Sequence, residues 1–437
     1  MKKIILLLAA AFLACCPSAY AGNAAGGVFE SYIASDMATG AVNRRDVKLD
    51  LNFSAVVENT EFKAELRAED DNAREETYAK RVYLREAYVN HDIYFNKFIN
   101  SLNIKFGRII HTWGNADELK PVDILNPQDM TFLLFKQIKE RKYGLFSLAA
   151  TAYFTDNVFL ELITLPEFFP TELNSRVFVI KQLADIAANP LYILKPAALP
   201  ADGLKNMNYA ARLGMSLFDI DAHLNYYNGY DHMPSMNATV TADTAIYGYW
   251  VPLKIAATPE YKRIEMTGLD FQRALFSGIS VRGEGALFTK GKMFQLNDTA
   301  TKANLKARES VMQEKKYAEY SLGADVVNFL VKNLYLNCQL NGSMIFDHED
   351  SLTQDANINS VIAALEYGLF RDRLKLKVRE FFNINDGAYA FGGEAAWKLS
   401  GIYEMFAGLW VLEGDAGSYY GQFSDKDMYY LGGRLTF

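Results

Sequence analysis

The sequence predicts an all-β protein, a transmembrane antiparallel β-barrel of about 18 strands, and three observations carry that expectation. Side-chain character alternates with a period of two over many segments. The connections between those segments are alternately tight and long. Half of the residues are hydrophobic, with 26 Tyr and 29 Phe, yet no stretch approaches the run of ~18 apolar residues that a membrane-spanning helix needs. Successive side chains of a strand point to opposite faces, so apolar surface that is periodic but never continuous implies crossing by strands.

The first 21 residues read as a secretory signal peptide. Lys2 and Lys3 precede an apolar run from Ile4 to Ala14, and Ala19-Tyr20-Ala21 is a small-x-small cleavage site. Residues 22–437 are then one barrel domain. A lipidated Cys15 or Cys16 is the alternative reading of the same segment. If both leave with the signal, Cys338 is the only cysteine and no intramolecular disulfide can form. Formal charge is −7, or −9 without Lys2 and Lys3, which argues against nucleic acid as a partner.

Eighteen strands follow from the alternation, near 28–36, 45–58, 60–69, 80–91, 101–112, 142–154, 158–165, 208–219, 222–230, 260–275, 279–291, 314–329, 333–347, 357–370, 373–383, 389–400, 402–413 and 426–437. In the second, Val47, Leu49, Leu51 and Phe53 oppose Asp46, Lys48, Asp50 and Asn52. In the fifteenth, Leu374, Leu376 and Val378 oppose Arg373, Lys375, Lys377 and Arg379. The last sets Tyr429, Leu431, Leu435 and Phe437 on one face and Arg434 on the other. An aromatic final residue on such a strand resembles the assembly signal of outer-membrane barrels.

Linkers after even-numbered strands are mostly tight, as at Asn59 and Arg371-Asp372, whereas 113–141, 166–207, 231–259 and 292–313 are long. That sorting, with short turns on one rim and long loops on the other, belongs to outer-membrane barrels and puts both chain ends at the periplasmic rim. A receptor plug or an autotransporter passenger finds no place, because strands begin within about ten residues of the cleavage site. Segment 113–134 carries Val122, Ile124, Leu125, Phe132, Leu133 and Leu134; that much apolar surface predicts a segment folded into the barrel, not a solvated loop. In 166–207, a helix is expected over 174–189, capped by Asn174 or Ser175, with Val177, Ile180, Leu183 and Ala187 on one face and Pro190 after it.

The motif Gly107-Arg108, Trp113-Gly114, Asn126-Pro127-x-Asp129 resembles a segment of porin-like outer-membrane barrels of Gram-negative bacteria, a poorly characterised family. The overall build is similar to the alginate-export type of barrel. The dense arginine and tryptophan run of a true alginate exporter is missing, so that substrate is not carried over. Because the segment that carries this motif is expected to fold inward, Arg108, Trp113, Gly114, Asp117, Asp123, Asn126, Pro127 and Asp129 are the expected constriction or plug.

Charged residues of the clean strands sort to the inward face, since a charge facing lipid near the midplane costs ~2–4 kcal/mol. Asp50, Lys63, Arg67, Arg282, Glu284, Glu319, Asp325, Glu366, Arg373, Lys375, Lys377, Arg379, Glu394, Lys398 and Arg434 are the expected pore lining. They either fill the lumen as a salt-bridge lattice or line a water-filled pore. The function expected is a porin or channel for small polar or charged solutes, with membrane lipid, the barrel assembly machinery and a small solute as partners. A gated transporter or exporter of hydrophobic or polymeric molecules, and a structural surface barrel, are the alternatives. No enzyme, cofactor or metal site is expected. The five histidines are scattered, no activated nucleophile is marked, and Asp347-His348-Glu349-Asp350 reads as readily as a solvated loop as a cation site.

Overall fold

The structure, a computed structural model, describes residues 23–437 apart from 75–78, 96, 97, 133, 134, 137, 174, 202, 248, 277, 329 and 330 and the side chains of Asn23, Gln182 and Leu183. The expected signal peptide lies outside the described residues, as do Leu133, Leu134 and Asn174. Eighteen strands form the wall: β1 (Asn23–Asp36), β2 (Val42–Val57), β3 (Thr60–Asp71), β4 (Lys80–Tyr94), β5 (Ser101–Ile109), β6 (Leu145–Thr155), β7 (Val158–Leu165), β8 (Asn208–Leu217) and β9 (Ile220–Tyr230). They continue as β10 (Arg263–Phe276), β11 (Ile279–Lys290), β12 (Tyr317–Val327), β13 (Leu334–Ile345), β14 (Asn357–Leu369), β15 (Leu374–Asn383), β16 (Tyr389–Lys398), β17 (Tyr403–Glu413) and β18 (Met428–Thr436). Each pairs antiparallel with the next, and β18 pairs with β1. The barrel is therefore closed and leaves no edge to satisfy.

Closure is tightest where the chain ends. Gly27 and Phe437 exchange backbone hydrogen bonds of 2.8 and 3.0 Å. A Cβ on Gly27 would stand 2.5 Å from the Asp50 carbonyl and 2.7 Å from the Phe437 ring, so a glycine is needed for the terminal aromatic to seat. Leu49, Leu51 and Ala68 gather beside it with Phe29, Leu66 and Phe437.

The register keeps the alternation in phase across strands. Asp50 faces Arg67 and Lys48 faces Glu69 on the inside, while Phe53 and Phe62, 41% and 45% exposed, look outward. Leu162, Leu269, Leu322, Met405 and Leu431 continue an exposed apolar belt around the wall, which is the surface a lipid-facing barrel presents. Among the described residues no helix is long and apolar enough to cross a membrane.

One rim has short turns. Phe218 and Asp219 both take left-handed backbone angles, φ 54° and 61°, the mirror-image turn whose twist matches paired strands. The other rim carries the long connections, and these hold more structure than the sequence suggested. Residues 231–259, read as loop, form a hairpin of Ser235–Ile246 and Tyr249–Glu260, to which Tyr192–Leu194 adds a parallel third strand. In 292–313 an unforeseen helix α2 (Asp298–Ala307), capped by Asn297, packs Leu305 against that hairpin.

The helix expected over 174–189 is α1 (Lys181–Ala188) alone. Ser175 does not cap it: its hydroxyl takes the N–H groups of Val177 and Phe178, and both side chains are buried inside the barrel. The fifth strand stops at Ile109 and the sixth starts at Leu145, because the connection between them leaves the wall and enters the lumen.

Candidate functional site

Residues 110–144 pass from β5 to β6 through the barrel interior. Asn126 ties both ends of the excursion: its Oδ1 accepts the His111 N–H at 2.7 Å, and its Nδ2 donates to the Ile109 and Tyr143 carbonyls at 3.0 and 2.9 Å. Asp123 accepts the Trp113 N–H at 3.1 Å and pairs with Lys142. Trp113 is 1% exposed, packs with Val122 and Leu125, and donates its indole N–H to Glu161 at 3.2 Å. Gly114 has φ +75°, and a Cβ there would lie 2.3 Å from the Glu284 carboxylate. This close approach lets Glu284 accept the Ala116 N–H at 2.6 Å.

The tip descends far towards the short-turn rim. Asp117 accepts from Arg282 at 2.9 Å and from Asn337 at 2.7 Å. Arg282 also pairs with Asp325, two residues from the end of β12. At ~3.3 Å per strand residue, the tip lies within roughly 10 Å of that rim. Glu118 then accepts from Arg379 at 3.0 Å, and the Leu119 carbonyl from Gln339 at 3.0 Å.

The returning half, 127–143, is anchored on β1–β4 by buried charge. Arg74, fully buried, contacts Asp129, Glu172 at 2.6 Å and Glu69 at 3.3 Å. Arg81 reaches Glu69, Glu172 and the Tyr143 hydroxyl, and Lys48 bridges Glu30 and Glu140 at 3.2 and 3.0 Å. Burial alone would raise the Asp129 carboxyl, but Lys136 and Arg74 hold it well below its ordinary value. Glu140 is likewise drawn down to about 2 against burial, by Lys48 and Arg67. His111 is pushed down to about 3 by burial, with Lys105 and Lys142 adding to it, so its ring is neutral at ordinary pH and meets Ser147 Oγ at 2.9 Å.

Two apolar cores fill much of the lumen's long-loop half. One joins Phe132, Phe135, Phe178 and Phe423 to Phe381 and Trp410 of the wall; the other joins Trp113, Val122 and Leu125 to Leu145, Ile163, Tyr227, Met266 and Phe288. Between them remains a cavity of about 440 Å³, bounded by Glu118, Leu119, Lys120, Pro121, Asp123, Ile124, Asn126, Gln128, Met130, Ile138 and Arg141 on the segment side and by Tyr317, Glu319, Asn341, Ser343, Ile358 and Ser360 on the wall. Thr171, Asp231, His232, Met233 and Lys292 close its upper end.

Towards the short-turn rim the wall of β14–β16 is polar. Lys377 pairs with Glu394 at 2.9 Å, while Arg373, Lys375, Lys398 and Glu366 have no ion-pair partner within 4.0 Å among the described residues. Lys63 pairs with Glu86, Arg67 with Asp50, and Arg434 with Glu30 and Glu404.

Of the expected constriction residues, Trp113, Gly114, Asp117, Asp123, Asn126, Pro127 and Asp129 come together in the inward segment. Arg108 does not: its register partner is Phe146, it shares the outer face with Phe106, and it pairs with Glu167 at 2.8 Å. Missed altogether were Arg74, Arg81, Glu172 and Arg141. Arg74, Glu172 and Arg141 lie in connections without periodicity, where no pattern marks them, and Arg81 stands at the start of β4.

No curated protein matches the chain. Among solved structures it is similar to the outer membrane channel DcaP of Acinetobacter baumannii, at 9% identity over 96% of this chain and 99% of that one, with a TM-score of 0.47. It is also similar to OccD3 (OpdP) of Pseudomonas aeruginosa, at 11% identity over 95% and 91%, with a TM-score of 0.50. OmpT, an outer membrane protein of Vibrio cholerae, matches at 10% identity over 96% and 99%, with a TM-score of 0.42. What OccD3 shares with the chain is the fold. A family model described as a protein of unknown function, DUF1302, matches residues 32–398, and the chain belongs to that family.

Proposed function

We propose that the protein is an outer-membrane channel for small polar or charged solutes, narrowed by segment 110–144 and biased towards anions. The closed barrel with its exposed apolar belt supports the membrane location, as does its likeness in fold to OccD3 of the outer membrane. The observation that carries the channel reading is the contrast inside the lumen. The inward segment and its apolar cores fill much of the long-loop half and only the tip reaches lower, whereas Lys375 and Lys377 stay half-buried on one face of β15 and Arg373 is exposed in the turn before it. A row of cations in a low-dielectric tube concentrates anions.

The test is conductance of the refolded protein in a planar bilayer, beside a variant lacking 115–130. Open-channel steps that grow in the deletion variant support the reading. Equal conductance in both, with the barrel assembled, removes the constriction. A gated transporter is the second reading, favoured by the two apolar cores in the lumen; it predicts silence in the intact protein and steps only in the deletion variant.

A further inference from the structure

Among the described residues, Arg141 is a buried cation of the barrel interior that no carboxylate meets. It closes the helical turn Ile138–Arg141, is 1% exposed and has no ion-pair partner within 4.0 Å among the described residues. Its Nη2 donates to the Glu118 carbonyl at a long 3.4 Å, while Nε and Nη1 donate to nothing. The buried arginines of the opposite wall, Arg44, Arg67 and Arg74, each hold at least one carboxylate. A guanidinium does not shed its proton in a protein, and a buried charged donor left unmet is costly. Arg141 also lines the 440 Å³ cavity, a volume within the range of small-molecule sites.

The other charges of that cavity are mostly spoken for. Asp123 pairs with Lys142, Asp231 with Lys292, and Glu118 with Arg379. Glu118 Oε2 has no donor, and Glu118, Asp129, Tyr419 and Arg379 act on Arg141 only from beyond contact. That leaves Lys120 and Arg141 as the lining's cations without an ion-pair partner within 4.0 Å among the described residues. Lys120 Nζ donates to the Gly114 carbonyl at 3.2 Å and acts on Glu284 and Asp117 from beyond contact. Glu319, hydrogen-bonded by Tyr317, is the remaining carboxylate. The rest of the lining joins an apolar patch of Leu119, Pro121, Ile124, Met130, Ile138 and Phe288 to neutral polar side chains such as Asn126, Gln128, Thr171, Asn341 and Ser343.

We infer that this cavity binds small monocarboxylates with an apolar body, their headgroup held by Arg141 and Lys120 and their body lying on Leu119, Ile124, Met130 and Phe288. With Glu118 and Glu319 on the same walls, a single carboxylate fits better than a phosphate dianion. Arg379, Lys377 and Lys375 of β15 then offer the anion its next positions towards the short-turn rim. The inference rests on the channel reading for the onward route; occupancy of the cavity does not.

The test is a calorimetric titration of the refolded full-length barrel in detergent with hexanoate, benzoate, hexanol, hexylammonium and inorganic phosphate. Saturable binding of hexanoate and benzoate is expected, with hexanol and hexylammonium at least about tenfold weaker. Arg141→Gln should weaken hexanoate about tenfold, or 1.4 kcal/mol, Arg141→Lys less, and Lys181→Gln on α1 not at all. Hexylammonium or phosphate binding as tightly as hexanoate overturns the inference, as does wild-type hexanoate affinity in a folded Arg141→Gln protein. Should that variant not fold, Lys120→Gln is the decisive substitution, and unchanged affinity there overturns it equally. Bilayer conductance on the same preparation separates the two readings. Hexanoate binding without conductance keeps the site and removes the channel; conductance without hexanoate binding keeps the channel and removes the site.

Discussion

Two walls of the same barrel handle charge in opposite ways. Around β1–β4 the described lumen-facing arginines meet carboxylates: Arg44 with Asp46 and Asp71 and Arg67 with Asp50 on the strands, Arg74 with Asp129 and Glu172 in the β3–β4 connection, and the partly exposed Arg81 and Arg85 with Glu69 and Glu65. On β14–β16 the cations are partly exposed, Lys377 and Arg379 at 24% and 23% of their side chains, and Arg373 and Lys375 have no carboxylate within 4.0 Å among the described residues. Taking ions out of water costs several kcal/mol each unless geometry and further hydrogen bonds offset it. The first wall comes close to that condition, with each of these arginines paired to a carboxylate, and it holds the inward segment in place. The second keeps its charges partly exposed. On the proposed channel reading the first wall is structural and the second acts on the solute.

Breaking the first wall should have the largest effect. Arg74→Met takes the shared buried cation from Asp129, Glu172 and Glu69, leaving them only Lys136 and Arg81, and removing one partner of such a cluster costs about 3–5 kcal/mol. The expected outcome is a clear fall in the temperature at which the folded, heat-modifiable species is lost, with larger and noisier conductance as residues 127–143 come loose. Arg373→Met should leave that temperature unchanged. Equal destabilisation by the two would collapse the distinction.

The second wall is tested by selectivity. Arg373→Gln with Lys375→Gln should lower the anion-to-cation permeability ratio, read from the reversal potential in a salt gradient, by several-fold at low ionic strength. The difference should shrink towards 1 M salt, where the Debye length is about 3 Å. Unchanged selectivity in an assembled double variant would mean that solutes do not pass along β15.

The walls differ, too, in how much of them could be read in advance. β15 shows itself in sequence, because apolar and basic residues alternate without a break from Arg373 to Arg379. The network on β1–β4 was only half legible. Asp50 and Arg67 could be placed inside by periodicity, but Arg74 and Glu172 lie 98 positions apart in connections with no period. Arg108 carries the opposite lesson. Period two puts it on the face of Phe106, and its place in the motif expected to fold inward overrode that plain signal. The hairpin 235–260 escaped because Pro252 and a shifted register near Val240 blur its alternation.

Acid should loosen the anchored side first. His111 is depressed to about 3 and Glu140 to about 2, against ordinary values of roughly 6.5 and 4.3. Between its folded and its unfolded value each group binds fewer protons folded than unfolded, so its contribution is full above the unfolded value and declines as pH falls. Thermal resistance should therefore be level from pH 9 to 7, ease below about 6.5 and drop faster below about 4.3. His111→Asn should remove the first step only, and a profile that stays flat to pH 4 in the native protein would count against the burial of His111.

The smallest effect is expected where the two walls meet. Glu118 is the inward segment's ionic contact with the open wall, accepting from Arg379 at 3.0 Å with the two side chains 16% and 23% exposed. A pair that water still reaches is worth about 0–1 kcal/mol, and Gln keeps an acceptor at the same place, so Glu118→Gln should barely move the melting temperature. Selectivity should move slightly, and in the direction opposite to the β15 double variant. Removing a negative charge that acts on both Arg379 and Arg141 raises the positive potential at the foot of the cavity, so the anion preference should grow by a factor of about two. If Glu118→Gln instead destabilises the barrel as strongly as Arg74→Met, the segment hangs on both walls equally, and the open wall is as structural as the closed one.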